Sequence, residues 1–256
     1  RAAVLFSATL APAGYYKDLC GLPDARAVAL RSPFDPTNMG LWCARQVSTR
    51  YKDRADSIAK VSDLLAVMTA AQPGHYLAFF PSYSYLQQVW EDFTARYPDQ
   101  PTLCQESAMD EGQRTEFLAQ FLARDGKPLL GFAVLGGVFG EGVDLTGESL
   151  IGVAVVSPGL PQIGPRQEQL RDYFEETRGA GFDYAYRYPG MNKVLQAAGR
   201  VIRTPQDRGV VLLIDDRFLA PDTRRLMPPH WEHLRVVDSA DAWKDELAAF
   251  WKKHEP

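Results

Sequence analysis

His75-Tyr-Leu-Ala-Phe-Phe-Pro-Ser-Tyr-Ser84 is the stretch that decides the fold class. Its apolar first part predicts a strand at His75–Phe80 that is buried on both faces. The Pro-Ser pair predicts a turn, and the residues beyond it predict a helix over Ser84–Tyr97. A buried strand that runs directly into a helix is the repeating unit of a parallel α/β sheet, so we start from an α/β fold.

The same alternation of short apolar runs and longer amphipathic segments extends along the chain in both directions. We predict further strands at Pro128–Leu135, Leu150–Val156 and Gly209–Ile214, with a weaker one at Thr102–Gln105. We predict further helices over Asp53–Ala71, Gln113–Arg124, Gln167–Thr177, Asn192–Thr204 and Ala240–His254. The expected architecture is a parallel sheet flanked by helices.

Composition excludes several classes of protein. The 256 residues are 46% hydrophobic and 23% charged, which is typical of a globular chain. The apolar runs are too short to cross a bilayer and no export signal is visible, so we expect no membrane partner and a cytoplasmic location. The scattered Cys20, Cys43 and Cys104 disfavour a disulfide framework, a zinc site or a self-contained iron–sulfur cluster. The net charge of −4 still allows a local basic groove.

The start of the chain indicates a piece of a longer protein. Arg1–Leu10 has no initiator Met and its apolar run Val4-Leu-Phe6 predicts a strand that leads into a loop. We place the boundary between this N-terminal remnant and the main sheet at Pro33–Asn38.

Gln196-Ala-Ala-Gly-Arg-Val-Ile-Arg203 carries an amide and two guanidinium groups at helical spacing. Residues three and four apart share a helix face, so Gln196, Arg200 and Arg203 are predicted to point the same way. Two guanidinium groups at one spot suit a polyanion, because each pairs bidentately with phosphate oxygens. We expect Thr204-Pro205 to end this helix. Taken alone, the segment fits an amphipathic helix with solvated arginines equally well.

Leu135-Gly-Gly-Val-Phe-Gly-Glu-Gly-Val-Asp-Leu145 directly follows a predicted strand. Glycine-rich turns leave backbone N–H groups free to face a phosphate. Glu141 and Asp144 add acceptors for a ribose hydroxyl, a water or an arginine. A flexible loop whose carboxylates cap a helix is the alternative.

Two shorter elements also stand at strand ends. Ser7-Ala-Thr9 follows the first apolar run, and Ser82 precedes a predicted helix whose first N–H groups could face a phosphate. Taken singly, each is better explained as an ordinary turn or cap.

In chain order, these four elements resemble motifs III, IV, V and VI of superfamily 2 helicases, specifically the XPD-like branch that includes bacterial DinG. The Phe-Phe-Pro-Ser-Tyr and Gly-Glu-Gly-Val-Asp elements are characteristic of that branch, as is Gln196 at the start of the last motif. The resemblance spans about Ser7 to Asp215 and implies a RecA-like domain.

The resemblance also implies roles for individual residues. Arg203 matches the arginine finger on the γ-phosphate of ATP, Arg200 its companion, and Gln196 a sensor of the phosphate or the attacking water. Glu141, Gly142 and Asp144 match positions near the nucleotide. Ser7 and Thr9 belong to an element that couples hydrolysis to strand movement. Positions on single-stranded DNA are implied for Ser82, Tyr83, Gly136, Gly137 and Phe139, with Tyr184, Tyr186 and Tyr188 as further stacking candidates.

Half of the motor is expected elsewhere, since the chain has no GxxxxGK[ST] loop and no Asp-Glu-Ala-His-like box. The resemblance implies that residues 1–36 end a first motor domain and residues 37–256 form the second. It implies ATP and Mg²⁺, with the Mg²⁺ ligands and any four-cysteine iron–sulfur site in the first domain and no metal site here. Single-stranded DNA and the first motor domain are the implied partners.

The resemblance further implies 5′ to 3′ movement in DNA repair or replication, and no ATP hydrolysis by this chain alone. The main alternative is a non-catalytic nucleic-acid-binding or protein-docking module of the same fold. A dinucleotide enzyme fits poorly, because the glycine-rich loop lacks GxGxxG between a strand and a helix.

Overall fold

The computed structural model describes residues 2–123, 127–139 and 150–254. The strands are β1 (Met39–Ala44), β2 (His75–Phe80), β3 (Thr102–Cys104), β4 (Leu129–Val134), β5 (Gly152–Val156), β6 (Gly209–Ile214) and β7 (Arg235–Val237). The helices are α1 (Ala13–Leu19), α2 (Arg54–Ala71), α3 (Tyr83–Arg96), α4 (Glu111–Leu122), α5 (Pro165–Arg178), α6 (Tyr188–Ala198), α7 (Pro221–Arg224) and α8 (Ala240–Lys253), and one π-helical turn, Asp183–Arg187, leads into α6.

These strands form one seven-stranded parallel sheet in the order β3-β4-β2-β5-β6-β1-β7. The α/β prediction is confirmed, and the five strands predicted between His75 and Ile214 each have a counterpart whose ends differ by two residues or fewer. Two strands, β1 and β7, lie outside the predicted set. β1 lacks β-branched residues, and β7 is only three residues long, so neither carries a strong strand pattern.

The sheet is buried on both faces. Alternate side chains of β2 supply both sides: Tyr76, Ala78 and Phe80 lie in the core beneath α2, α3 and α8, whereas Leu77 and Phe79 lie in the core beneath α4 and α6. This alternation follows from the two-residue period of a strand. A continuous apolar run such as β2 is therefore required for a strand covered by helices on either side.

Local capping explains where several helices begin and end. Ser82 is the N-cap of α3, and its hydroxyl accepts a hydrogen bond from the backbone N–H of Tyr85. Asp110 and Gln113 form a reciprocal capping box at the start of α4. α5 ends at Gly179, whose φ of +64° is the left-handed conformation typical of a glycine helix cap.

Because all strands run the same way, the residues that follow them meet at one edge of the sheet, the carboxyl edge, and the residues that precede them meet at the opposite amino edge. The candidate functional residues divide between these two edges.

Candidate nucleotide and nucleic-acid sites

The helix that carries the Gln196–Arg203 motif is shorter than the sequence indicates. α6 ends at Ala198, and the N–H of Gly199 closes its last turn on the carbonyl of Leu195. Gln196 is therefore helical, whereas Arg200 and Arg203 lie in the segment that follows. The predictions of one helical face for all three residues, and of a helix end at Thr204-Pro205, are wrong. Gly199 is a weak helix former, and Asp207 takes the backbone N–H groups of Arg203 and Thr204, which a continuing helix would direct to carbonyls four residues earlier.

The segment after α6, residues 200–208, is called the arginine loop below. Asp207 organises it: its Oδ2 accepts hydrogen bonds from the backbone N–H of Arg203 at 2.7 Å and of Thr204 at 2.8 Å. The side chain of Asn38, next to β1, donates to the carbonyl of Pro205 at 3.2 Å. The loop is thus anchored to itself and to the neighbouring strand at the amino edge.

Within this loop the two arginines differ in exposure. Arg200 is buried, with 6% of its surface exposed, and Arg203 is half-buried, as is Gln196 on the last turn of α6. Arg203 is thus the more accessible of the two arginines on this loop, whose backbone is fixed by the hydrogen bonds to Asp207.

At the carboxyl edge, the structure brings together four residues predicted to contact DNA. β2 and β4 are adjacent, with Phe80 opposite Val134, and the N–H of Leu135 donates to the carbonyl of Phe80 at 2.8 Å. The segments that leave these strands therefore lie side by side: Ser82 and Tyr83 on one, Gly136 and Gly137 on the other. Tyr83 is 37% exposed, which leaves part of its ring open to a ligand.

The second segment turns sharply at Gly136. Its φ is +75°, a conformation that residues with a side chain rarely adopt. The N–H of Gly137 turns back to the carbonyl of Val134 at 3.1 Å. The two glycines thus reverse the chain immediately after β4 and keep its backbone close to the sheet edge.

Gln105, which the sequence analysis did not select, links these segments. It follows β3 and is 4% exposed. Its Oε1 accepts from the backbone N–H of Val134 at 2.7 Å, and its Nε2 donates to the Tyr83 hydroxyl at 3.0 Å. One amide therefore ties the ends of three neighbouring strands together. A single Gln at the end of a weak strand gives no sequence signal for this role.

Several aromatic residues predicted to stack on bases are in the interior instead. Phe139 is 2% exposed and its ring stacks on Phe117 with centroids 4.3 Å apart. Tyr184 and Tyr186 are 7% and 5% exposed, and their hydroxyls donate to Asp18 and Glu168. These rings lack the open face that base stacking requires, so we retain neither Phe139 nor these tyrosines as stacking residues. Alternation of aromatic residues with a cation did not distinguish an exposed surface from a packed one.

The N-terminal segment does not form the predicted strand. Val4, Leu5 and Phe6 are 83%, 61% and 90% exposed, and no strand is found among residues 2–12. A strand needs a neighbour for its backbone groups, and the described sheet offers this segment none. Ser7 and Thr9 lie in a turn, where the hydroxyl of Ser7 accepts from the N–H of Thr9 at 3.2 Å.

Beyond this turn, α1 packs on the rest of the chain. Tyr15 is 8% exposed and meets the rings of Tyr184 and Tyr188 edge to face, with centroids 5.4 and 5.2 Å apart. Asp18 pairs with both Nε and Nη2 of Arg178, at 3.0 and 2.8 Å. Hydrogen bonds from Arg178 and Tyr184 lower the pKa of Asp18 to about 2.

Two further contacts complete this docking. The Asn192 side chain on α6 donates to the hydroxyl of Tyr16 at 2.7 Å. The Tyr184 hydroxyl donates to Asp18 at 2.5 Å. α1 is thus tied to the helix that leads to the arginine loop.

A buried polar network joins the carboxyl ends of β1, β5 and β6. Asp215, which has no exposed surface, accepts from the backbone N–H of Thr49 at 2.9 Å and also from its hydroxyl. Arg217 pairs with the same carboxylate and reaches the hydroxyl of Ser157 at 3.5 Å. Burial would raise the pKa of Asp215, but the Arg217 hydrogen bond and charge and the Thr49 hydroxyl hold it below its ordinary value. The Asp-Asp-Arg run after β6 is the only sequence hint of this network.

Three predicted nucleotide-binding residues, Glu141, Gly142 and Asp144, lie outside the described residues. Within the described ranges, no group of three or more His, Cys, Asp or Glu side chains is arranged to hold a metal ion. In the same ranges, none of the helices combines the length and apolar character needed to span a bilayer.

The chain matches one protein family and is similar to several known proteins. A model of the helicase C-terminal domain matches residues 65–234. Regulator of telomere elongation helicase 1 from Bos taurus is 29% identical over 282 residues, covering 98% of this chain and 23% of that protein. The ATP-dependent DNA helicase YoaA of Escherichia coli K12 is 27% identical over 208 residues, covering 80% of this chain and 31% of that protein.

This chain thus spans less than a third of the length of either relative. Among solved structures, an XPD helicase superposes with a TM-score of 0.71 at 18% identity, over 91% of this chain and 42% of the other. That likeness concerns the fold.

Proposed function

This chain belongs to the helicase C-terminal domain family, in its XPD-like superfamily 2 branch, and on that basis we propose that it is the second motor domain of an ATP-dependent DNA helicase. In this proposal it supplies half of an ATPase site. A first motor domain of the same polypeptide supplies the phosphate-binding loop and the Mg²⁺ ligands. Residues 1–36 are assigned to the end of that first domain and residues 37–256 to the second.

The observation that carries the proposal is the division of the motif residues between opposite edges of one sheet. Arg200 and Arg203 lie at the amino edge, whereas Ser82, Tyr83 and Gly136 lie at the carboxyl edge. A helicase motor must bind a nucleotide and a nucleic-acid strand at the same time, at separate surfaces. The arrangement supports this, because one rigid sheet and one helix, α6, connect the two surfaces.

At the amino edge, we assign Arg203 as the arginine finger and Arg200 as its companion on the phosphates of ATP. Both would neutralise charge that develops on the transferred γ-phosphoryl group, an effect worth about 10³–10⁵ in rate in related systems. The hydrogen bonds from the arginine loop to Asp207 hold the backbone in place before ATP arrives. Gln196 is positioned one turn earlier to sense the γ-phosphate or the attacking water.

The residues here fit the phosphate end of ATP, since they provide guanidinium and amide donors. Glu141, Gly142 and Asp144 are assigned to the nucleotide by their place in the motif. Ser7 and Thr9 are assigned to the coupling of hydrolysis to movement. An iron–sulfur site, if the parent has one, belongs to the first domain.

At the carboxyl edge, single-stranded DNA is the proposed ligand. The open ring of Tyr83 can stack on a base, and Ser82 with the Gly136–Gly137 turn can approach the sugar-phosphate backbone. The family resemblance adds 5′ to 3′ movement and a role in DNA repair or replication. A cytoplasmic location is a further part of the proposal.

Replacement of Arg203 by Ala in the full-length parent tests the motor assignment. We expect the DNA-stimulated ATPase rate to fall about 10³-fold or more, with single-strand binding retained, because only a transition-state contact is removed. Arg166→Ala is the matched control, since Arg166 is exposed on the first turn of α5. An unchanged ATPase rate in the Arg203→Ala parent would favour a non-catalytic docking module instead.

The isolated chain gives a second test. We expect it to hydrolyse no measurable ATP, because it has no phosphate-binding loop of the GxxxxGK[ST] kind. Strong DNA-stimulated turnover by this chain alone would contradict the division of the site between two domains.

A further inference from the structure

Lys193 lies on the second turn of α6, and its side chain extends over the Gly136 turn. A Cβ placed on Gly136 would be 2.8 Å from both Cδ and Cε of Lys193 and 3.2 Å from its Nζ. The end of this side chain is therefore at the carboxyl edge, beside the segment that leaves β4. The absence of a side chain at Gly136 is what gives the lysine this position.

Among the described residues, no hydrogen bond or ion pair satisfies the charge of Lys193. Within the described part of the chain, its ammonium group makes no ion pair and no hydrogen bond, although the side chain is half-buried. By contrast, Arg187 on the preceding turn pairs with Asp183. Holding a lysine stem against the protein costs side-chain entropy, and without a carboxylate partner the fold gains little electrostatic energy in return.

The surroundings suit a strand of nucleic acid. Lys193 lies over Gly136, and the Gly136–Gly137 turn follows β4, whose last N–H is held by Gln105. The same Gln105 donates to the hydroxyl of the half-open Tyr83. The cation and the aromatic ring thus stand on linked segments of one edge. A cation for the backbone and a ring for the bases is the combination by which proteins bind single strands.

We propose that Lys193 binds a phosphate of single-stranded DNA at the carboxyl edge. This inference rests on the proposed function, because it adds a contact to the same DNA surface. The contact would lie on α6, whose last residue, Ala198, is five residues beyond Lys193, or about 7.5 Å along a helix at 1.5 Å per residue. α6 would then touch the DNA near its start and lead directly into the arginine loop.

The test measures binding of a fluorescent oligothymidylate by the 256-residue chain as a function of salt. Loss of one phosphate contact lowers the slope of log affinity against log salt by about 0.7 for a single strand. We expect Lys193→Gln to show this smaller slope. At about 0.1 M salt, one tenfold step below 1 M, the variant should bind about fivefold more weakly than the wild type. Lys193→Arg keeps the charge and is expected to keep the slope.

Lys60→Gln is the matched control. Lys60 is exposed on α2, which packs on the sheet face opposite α6, so its loss is expected to leave the slope unchanged. Chemical acetylation of the wild-type chain provides a readout that needs no variant. Oligothymidylate is expected to slow acetylation of Lys193 and leave that of Lys60 unaltered.

The outcomes separate the two hypotheses. If the wild-type chain binds oligothymidylate while Lys193→Gln keeps the full slope and Lys193 is not protected, the inference is wrong and the DNA surface stands. If the wild-type chain binds no single strand even at low salt, the proposed DNA surface is wrong, and the Lys193 inference is overturned with it.

Discussion

The carboxylate of Asp215 is fully buried and receives two parallel hydrogen bonds from the guanidinium of Arg217, at 2.7 Å from Nε and 2.9 Å from Nη2. The backbone N–H of Thr49, from the segment after β1, donates to the same group at 2.9 Å. The pair thus links the carboxyl ends of β1 and β6. The amino ends of the same two strands lie beside the arginine loop. Its role is to hold the sheet on which both proposed surfaces are mounted.

Asp215→Asn is expected to destabilise the chain strongly. Removing the charge leaves the half-buried Arg217 guanidinium without its counter-ion, a change that costs about 3–5 kcal/mol for a buried pair. The free energy of unfolding in urea measures the effect. Asp216→Asn is the control, because Asp216 pairs with Arg50 where both side chains are about two-fifths exposed, and such pairs contribute about 1 kcal/mol or less. Equal losses in the two variants would contradict the special role of Asp215.

The same carboxylate predicts a pH dependence. The pKa of Asp215 is lowered in the folded chain, so its contribution is fully present above the unfolded value of about 3.9 and is lost as the pH falls through the lower folded value. Urea unfolding measured from about pH 6 down to about pH 2 is therefore expected to show a steeper loss of stability for the wild type than for Asp215→Asn, with the difference developing below about pH 4. Parallel curves would show that Asp215 does not titrate differently in the two states.

The docking of α1 depends on Asp18. Asp18→Asn removes the charge that holds Arg178 and weakens the acceptor of the Tyr184 hydroxyl. We expect faster proteolytic cleavage within residues 13–25, with global stability little changed, because α1 lies outside the sheet core. Asp24→Asn is the matched control, since Asp24 is exposed in the same segment. The low pKa of Asp18, about 2, means that acidification mimics the variant only well below pH 4. Unaltered cleavage in Asp18→Asn would show that the aromatic contacts of Tyr15 suffice.

Gly136→Ala tests the space beneath Lys193. The substitution combines a positive φ with a clash, since the new Cβ would lie 2.8 Å from Cδ and Cε of Lys193. We expect a loss of about 1–2 kcal/mol in unfolding free energy from the left-handed backbone, and weaker oligothymidylate binding from the displaced lysine. Gly21→Ala shares a positive φ, of +64°, but meets no atom within 4 Å. It is expected to lose stability without losing DNA affinity, and equal affinity losses in both would argue against the lysine.

Tyr83 is expected to contribute through its ring. Tyr83→Ala should weaken binding by about 1–3 kcal/mol, the usual value of one base–aromatic stack, whereas Tyr83→Phe keeps the ring and should retain most of the affinity. Anisotropy titration with oligothymidylate distinguishes them. Tyr51→Ala removes another exposed ring, at 89% exposure, and serves as the control. If Tyr83→Phe is as weak as Tyr83→Ala, the hydrogen bond from Gln105 matters more than stacking.

Much of the fold followed from local patterns. The run of β2 is apolar on both faces, so it could be assigned to a covered parallel strand from the sequence alone, and the order of four short motifs pointed to a helicase motor domain. Patterns failed where the chain had to turn. Gly199 ends α6 before Arg200, although the spacing of Gln196, Arg200 and Arg203 suits a helix.

The sequence by itself determined the α/β class, the positions of five of the seven strands and the family, because these depend on residue types at short spacings. Only the tertiary structure decided which distant residues meet. Thr49 and Asp215 are 166 positions apart, and Lys193 lies against Gly136, 57 positions earlier in the chain. The order of strands in the sheet sets such pairings, and no local pattern encodes that order. The burial of Phe139 and Tyr184 also depended on tertiary structure, because their rings could be assigned to the interior only once the surfaces that cover them were known.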